Sequence, residues 1–265
     1  VHISSDGGSP VVTRGVCWGT GSLPTLSNNS TSNGSGTGSY IGTISGLSLN
    51  TTYYVRAYAS NAAGTAYGNQ LSIKIVDVIN PATGKIWMAT NQGTSKAATS
   101  STDTDAYGDL YQWGRNSDGH QIRNSDTTSI LSSNDYPGNS SFIIQPNPPY
   151  DWHSFQNLSL WQGVSGVNNP CPSGYRLPTD TELDDERSSW SSQNSAGAFA
   201  SPLRWSLAGY RKNTDGTIAS NGLYGYYWSS TVSGSYSRCL YFSSSSAGIF
   251  SSYRSNGFSV RCIKD

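Results

Sequence analysis

Charge is scarce in this chain of 265 residues. Only 12% are Asp, Glu, Lys or Arg, and 16 acidic and 16 basic side chains cancel to a net charge of +0. Without a basic excess there is no electrostatic footprint for nucleic acid. Histidine is rarer still. His2, His120 and His153 are the whole set, no two share a metal-ligand spacing, and no Cys-His cluster accompanies them. No Gly-x-Ser-x-Gly elbow marks a nucleophile, so hydrolase chemistry has no anchor. No apolar run is long enough to cross a membrane, which points away from membrane insertion. No signal peptide opens the chain either. Since Val1 is not a start residue, the chain reads as a processed product or a fragment.

Polar and aromatic residues fill the space. Hydrophobic residues make up 35%, yet there are 17 Tyr, 8 Trp and 29 Gly. So many rings argue against disorder, because each buries enough area to offset chain entropy. Few charges and many turn residues predict β-rich, loop-rich structure, and the length suits two domains.

The four cysteines permit three pairings. Cys17 lies far upstream, in a segment read as a separate domain. Alternation in Phe258-Ser259-Val260-Arg261-Cys262 puts Cys262 on the apolar face with Phe258 and Val260. Cys239 falls on the face opposite Leu240 and Phe242, beside Tyr241. A Cys171–Cys262 bridge with Cys239 unpaired is therefore expected; the alternative is four buried free thiols.

Residues 1–76 read as short strands punctuated by turns. Val11–Trp18 is strand-length, 27–38 is a polar loop, and Thr51–Ala59 alternates, with Tyr53, Val55, Ala57 and Ala59 on one face. Asn61–Gly64 turns the chain into a last strand over 66–75. Such regular spacing predicts a β-sandwich, with Leu47 and Tyr53 placed like a tyrosine corner. RGVCWGT and LNTTYYVRAYASNAAGTAYGN resemble a bacterial fibronectin type III-like module. The resemblance implies a spacer or weak binding module whose first strand lies upstream of Val1.

Residues 77–265 read as one second domain, close-coupled to the first by a short link. Strands are expected at Lys85–Ala89, Leu203–Tyr210, Tyr226–Ser230, Leu240–Ser243 and Phe258–Ile263. One or two helical turns fit 105–114. The region 115–169 is polar and Pro-punctuated, with Trp152 and Trp161 as buried pins. The clearest helix starts at Thr179 or Asp180, with Glu182 in its first turn and Leu183, Glu186, Arg187 and Trp190 following. Trp228 reads as core; Trp205 is either core or a ligand contact.

The stretch 224–265 organises the reading. Between strand-like flanks it is a run of Ser, Tyr, Gly and Arg with little hydrophobic period. Tyr supplies contact area at low entropy cost, and Ser and Gly supply adaptable polar contacts. This predicts a recognition face on a rigid scaffold, with no catalytic site. KIWMATNQG, AYGDLYQWGR, NPCPSGYRLPT, LAGYR, YGYYWSST and GFSVRC resemble the Fibrobacter succinogenes major paralogous domain. That family is similar to the C-type lectin fold, in the branch that includes the variable proteins of diversity-generating retroelements. The implied fold is α+β: a C-type-lectin-like domain preceded by an all-β fibronectin type III-like sandwich. The implied setting is extracellular, on Bacteroidetes cell surfaces. In the variable proteins, adenine-directed mutagenesis of an Asn codon yields Ser, Tyr, Gly, Arg, Cys, Ile, Phe or Leu. Ser235, Tyr236, Arg238, Cys239, Ile249, Phe250 and Tyr253 all lie in that set. The alternative is a Ser-rich surface with no diversification.

The expected ligand-binding residues are Tyr224, Tyr226, Ser235, Tyr236, Arg238, Tyr241, Ser243, Ser245, Ile249, Phe250, Tyr253 and Arg254. Arg204, Arg211, Lys212, Arg238 and Arg254 either rim this face or stay solvated. A structural calcium ion near Asp103, Asp105 and Asp109 is the weaker option, since carboxylates more often cap turns. Gln145-Pro146-Asn147 resembles a calcium-lectin tripeptide, but its Trp-Asn-Asp companion is absent. The resulting expectation is a non-enzymatic receptor-binding protein, either a bacterial adhesin or a phage tail-fibre tip. It would engage a protein or glycan receptor on another cell, with no resident cofactor, and either setting is compatible with a homotrimer. Structural packing in a surface assembly and calcium-dependent sugar binding are the alternatives.

Overall fold

The computed structural model describes residues 1–44, 47, 51–74 and 77–265. It is β-rich, with 31% strand and 7% helix. Contacts divide it into two compact units, 1–75 and 76–265.

In the first unit, Thr52–Asn61 is the hub. It pairs antiparallel with Thr13–Gly19 over seven positions, with Gly64–Tyr67 across a turn, and with Leu71–Lys74. The single last strand expected over 66–75 is thus two strands. They part where Gly68 N–H donates to Ala57 O. His2–Ile3 and Gly38–Ser39 pair separately. Val16, Cys17, Trp18, Tyr40 and Tyr58 form the core. Gly15 is required here: a Cβ would lie 2.0 Å from Thr31 O. The Tyr58 hydroxyl donates to that same carbonyl. The expected Leu47–Tyr53 corner spans 48–50, which lie outside the described residues.

The second unit rests on a core of Trp87, Leu183, Trp190, Trp205, Tyr227, Leu240, Phe242 and Ile263. The helix Asp180–Ser188 begins with a capping box: Thr179 Oγ1 accepts from Glu182 N, and the Glu182 carboxylate accepts from Thr179 N. It presents Leu183 and Glu186 to the core. Glu186 is fully buried, and its carboxylate accepts from the indole N–H of Trp190 and of Trp205, both at 3.1 Å, and from Asn80. A second helix, Ser195–Ala200, follows an Asn194 cap. The expected Leu203–Tyr210 strand is instead buried irregular chain, joined to a two-residue strand at Tyr210–Arg211. Around 105–114 there is one 3-10 turn, Thr104–Ala106, and a short strand, Tyr111–Gln112.

Residues 115–169 are largely irregular yet tightly pinned. Trp152 and Trp161 are fully buried. Trp152 Nε1 donates to Trp113 O at 2.6 Å, and Trp161 Nε1 donates to Asn168 O at 2.8 Å. Cys171 and Cys262 form a disulfide; Cys17 and Cys239 are buried free thiols. Four arginines are buried against aromatic faces: Arg115 on Trp152, Arg211 on Phe142, Arg254 on Trp113 and Arg261 on Trp205. Each fork is met by oxygens from distant segments, as where Arg261 reaches Asn91 Oδ1 and Leu203 O.

Candidate functional site

The stretch from 225 to 253 is a three-stranded antiparallel sheet, Gly225–Ser233, Tyr236–Phe242 and Ala247–Tyr253, with Tyr236–Phe242 in the middle. The third strand lies outside the expected strands. Its register with the middle strand is unbroken, from Tyr236 opposite Tyr253 to Phe242 opposite Ala247. Directly paired residues share a face and neighbours alternate. The expected single recognition face is therefore split between two sides of one sheet.

One side is the supporting side. Tyr227, Leu240 and Phe242 join the core there, with Ala247 and Ile249 packed against it. Ile249 is thus a packing residue. Arg238 lies on the same side, where its Nε sits 3.4 Å from Asp180 of the helix and its Nη1 donates to Ser251 Oγ at 3.1 Å. Tyr236 and Tyr253 close the far end of this side. Tyr253 stacks between Tyr236 at 5.3 Å and Tyr150 at 4.2 Å. Both Tyr236 and Tyr253 keep solvent-exposed surface.

The other side carries Tyr226, Tyr241, Gly248 and Phe250. Tyr226 is the hinge of an aromatic cluster: its ring centre lies 5.8 Å from Tyr224, 5.1 Å from Tyr210, 5.9 Å from Phe250 and 5.0 Å from Phe258. Tyr241 meets Phe250 edge-on at 5.4 Å. Gly248 stays open over the Tyr241 ring, where a Cβ would approach to 3.1 Å. Tyr210, Tyr226, Tyr241 and Phe250 are half-buried and Tyr224 is exposed. Burial, reinforced by Tyr210 and Tyr224 alongside, raises the Tyr226 hydroxyl to about 12. The Tyr226 hydroxyl is therefore uncharged at neutral pH. Farther along, Trp228 and Cys239 are fully buried, Trp228 stacking on Phe258 at 4.3 Å.

The serines occupy the two turns. Ser235, with Gly234, forms the exposed two-residue hairpin between Ser233 and Tyr236. Ser243 is buried, its backbone N–H donating to Ser246 O, while Ser245 is exposed.

Arg254 needs correction. It is fully buried rather than on a rim: Nε donates to Ser237 Oγ at 3.0 Å, Nη2 donates to Gly234 O at 2.8 Å and Tyr236 O at 3.1 Å, and Nη1 lies 3.4 Å from Asp151. It ties the hairpin to the irregular region. Arg211 is likewise buried, Lys212 is half-buried, and Arg204 is exposed. Trp205 is core, at 4.6 Å from Tyr227.

The acidic trio does not form a ligand set. Lys96 Nζ bridges Asp103 at 3.1 Å and Asp105 at 3.0 Å, and Thr99 donates to Asp103 through its N–H and hydroxyl. Asp109 packs against Gly93, and burial raises its carboxyl to about 7 despite Arg123 nearby. Among the described residues, no group of three or more His, Cys, Asp or Glu is gathered for a metal. Gln145 is engaged with its own loop, Nε2 donating to Pro148 O at 3.1 Å.

Two histidines in the second unit have both ring nitrogens engaged. His120 Nε2 accepts from Gln112 N at 3.0 Å and Nδ1 donates to Asp118 at 2.6 Å. Burial, and Arg115 beside it, hold His120 down at about 4, so it is neutral. His153 Nδ1 accepts from Phe155 N, and its Nε2 lies 3.3 Å from Asp135. Neither is placed to activate a hydroxyl.

Sequence reasoning missed Tyr210 and Tyr150. Tyr210 had a signal, since it sits in the LAGYR motif, but only the fold brings it to Tyr226. Tyr150 had none in its Pro-rich surroundings. Compared with protein-family models, curated proteins and solved structures, the chain matches none.

Proposed function

We propose that this chain is a non-enzymatic binding protein that meets its ligand through the Tyr/Phe shelf of the C-terminal sheet. The observation that carries the reading is the shelf itself. Tyr226, Tyr241 and Phe250 keep partial exposure on a sheet whose other side is anchored in a tryptophan core, and the partly exposed rings of Tyr210 and Tyr224 lie against Tyr226. Rigid aromatic anchors on a preorganised support are what a binding surface requires. The reading extends to a C-type-lectin-like domain on an extracellular surface, as a bacterial adhesin or a phage tail-fibre tip, with the turn serines and outward strand positions diversified. The receptor would be a protein or glycan on another cell.

The test is flow cytometry of the labelled full chain on a panel of bacterial and host cells. A Tyr224→Ser, Tyr241→Ser, Phe250→Ser variant should lose binding to cells that bind the parent chain. Undiminished binding would refute the shelf, and binding to no cell would favour a structural module of a surface assembly.

A further inference from the structure

Among the described residues, the third strand of the C-terminal sheet, Ala247–Tyr253, has a neighbouring strand on one side alone. The register says which backbone groups this leaves over. Trp228 N donates to Ser259 O, and Ser259 N donates to Tyr226 O. Tyr226 and Trp228 thus turn their backbone groups away from the middle strand, and Tyr227 turns its own towards Leu240. Alternation then points Cys239 and Tyr241 at Phe250 and Gly248. Ser243 N donating to Ser246 O continues the same ladder. The N–H and C=O groups of Ala247, Ile249 and Ser251 are left pointing out of the sheet. Among the described residues, no backbone group meets them. Residues 247–251 are all half-buried, so the edge is open to water.

Nothing guards this edge. Native edge strands are blunted by charge, proline or a bulge. Ala247–Tyr253 has no charged residue and no proline, and its seven pairs with the middle strand run without a register shift. A charged peptide would find no complementary charge along it. The strand does complement itself. Turned antiparallel about a two-fold axis at Ile249, two copies set Ile249 against Ile249, Ala247 against Ser251, and Phe250 against Gly248. Every outward group is then used, each Ser251 N–H donating to Ala247 O of the other copy. Centring on Gly248 or Phe250 instead would leave one of the three outward residues beyond the paired strand. Phe250 lands where the opposite residue has no side chain, beside the Tyr241 ring that already lies over Gly248.

We propose that this chain forms a two-fold dimer by pairing its Ala247–Tyr253 edges, which joins two three-stranded sheets into one. The pairing is the same patch on both copies, so it closes at two. It does not rest on the shelf binding a ligand: a chain that binds no cell still dimerises.

Sedimentation equilibrium of the intact 265-residue chain tests this, up to about 100 μM, where a micromolar dimer is almost fully formed. The expected mass is twice that of the chain, falling towards one on dilution. Ser251→Pro removes an N–H with no partner inside the chain, at the kind of outward edge position where proline is tolerated. It should weaken the dimer by about tenfold or more, since two hydrogen bonds are lost across the pair, with the tryptophan fluorescence melt unchanged. Cross-linking reads the register without relying on that variant. Ile249→Cys brings two thiols together across a pair whose Cα atoms are about 5.5 Å apart, within disulfide reach. Under oxidised glutathione it should cross-link two copies, while Ala247→Cys and Ser251→Cys, each set far from its own copy, should not. A monomer at every concentration overturns the proposal, and so does a trimer. A dimer of undiminished affinity in folded Ser251→Pro, or cross-linking no better at 249 than at 247 and 251, also overturns it.

Discussion

Arg254 gives the sharpest separation of framework from surface within the C-terminal sheet. It follows Tyr253 directly and belongs to the residue types expected at a variable surface, yet it is fully buried over Trp113 beside an Asp151 that is 2% exposed. Arg254→Met removes the cation and leaves the Asp151 carboxylate buried. It also strips the carbonyls of Gly234 and Tyr236 of their shared donor. Breaking a buried pair from one side costs about 3–5 kcal/mol. In a unit of this size that is a fall in Tm of about 6–20 °C. Tryptophan fluorescence reads it out, because seven of the eight tryptophans lie beyond residue 76. The loss also depends on pH. Burial already raises Asp151 to about 6 with Arg254 beside it. Without Arg254 the folded state favours the protonated carboxyl more strongly. Destabilisation should therefore be worst at pH 8 and partly relieved at pH 5. Adding Asp151→Asn should recover part of the loss. Tyr236→Ala, 39% exposed in the middle strand, should cost about 1 kcal/mol or less. An Arg254→Met chain that melts within about 2 °C of the parent would refute the placement of this residue and the strand register with it.

Glu186→Ala leaves the indole N–H groups of Trp190 and Trp205 without acceptors and should destabilise by about 2–6 kcal/mol, measured by urea unfolding. His120 is depressed to about 4 from an ordinary 6.5, so its contribution is full above pH 6.5 and is lost as pH falls towards 4. The loss is on the order of 3 kcal/mol, and His120→Gln should flatten that limb of the stability profile. Asp109 has the opposite sign: raised to about 7, it costs stability as pH rises from 3.8, so Asp109→Asn should raise the Tm at pH 8 and leave it unchanged near pH 3. Reducing the Cys171–Cys262 bridge releases a sequence separation of 91 residues, and should cost about 4–5 kcal/mol in a melt with and without reductant.

Local chemistry was legible where one segment decides it. The Thr179–Glu182 capping box needs only its own four residues. Trp152 and Trp161 read as pins because large rings amid polar chain have little else to do. The apolar run at 203–210 misled for the opposite reason: it is buried, but hydrophobicity alone does not distinguish a strand from packed irregular chain. Ala247–Tyr253, AGIFSSY, carries almost no period of its own. Its strand character comes from pairing with Tyr236–Phe242, which single-sequence reading does not see. That omission hid the alternation that sends Ile249 inward and Phe250 outward. Arg254 and Arg211 are expected from sequence as rim or solvated charges, because arginine is rarely buried unless its donors are met. Here they are met by carbonyls contributed from segments tens of residues away.

Sequencing natural alleles of this gene across codons 224–254 tests the central claim most directly. The account predicts substitutions clustered at Tyr224, Tyr226, Ser235, Tyr236, Tyr241, Phe250 and Tyr253, at codon positions templated by adenine, with Tyr227, Trp228, Ser237, Leu240, Phe242 and Arg254 unchanged. Substitutions spread evenly over both sets, or drift at any codon position without preference for adenine-templated ones, would contradict it.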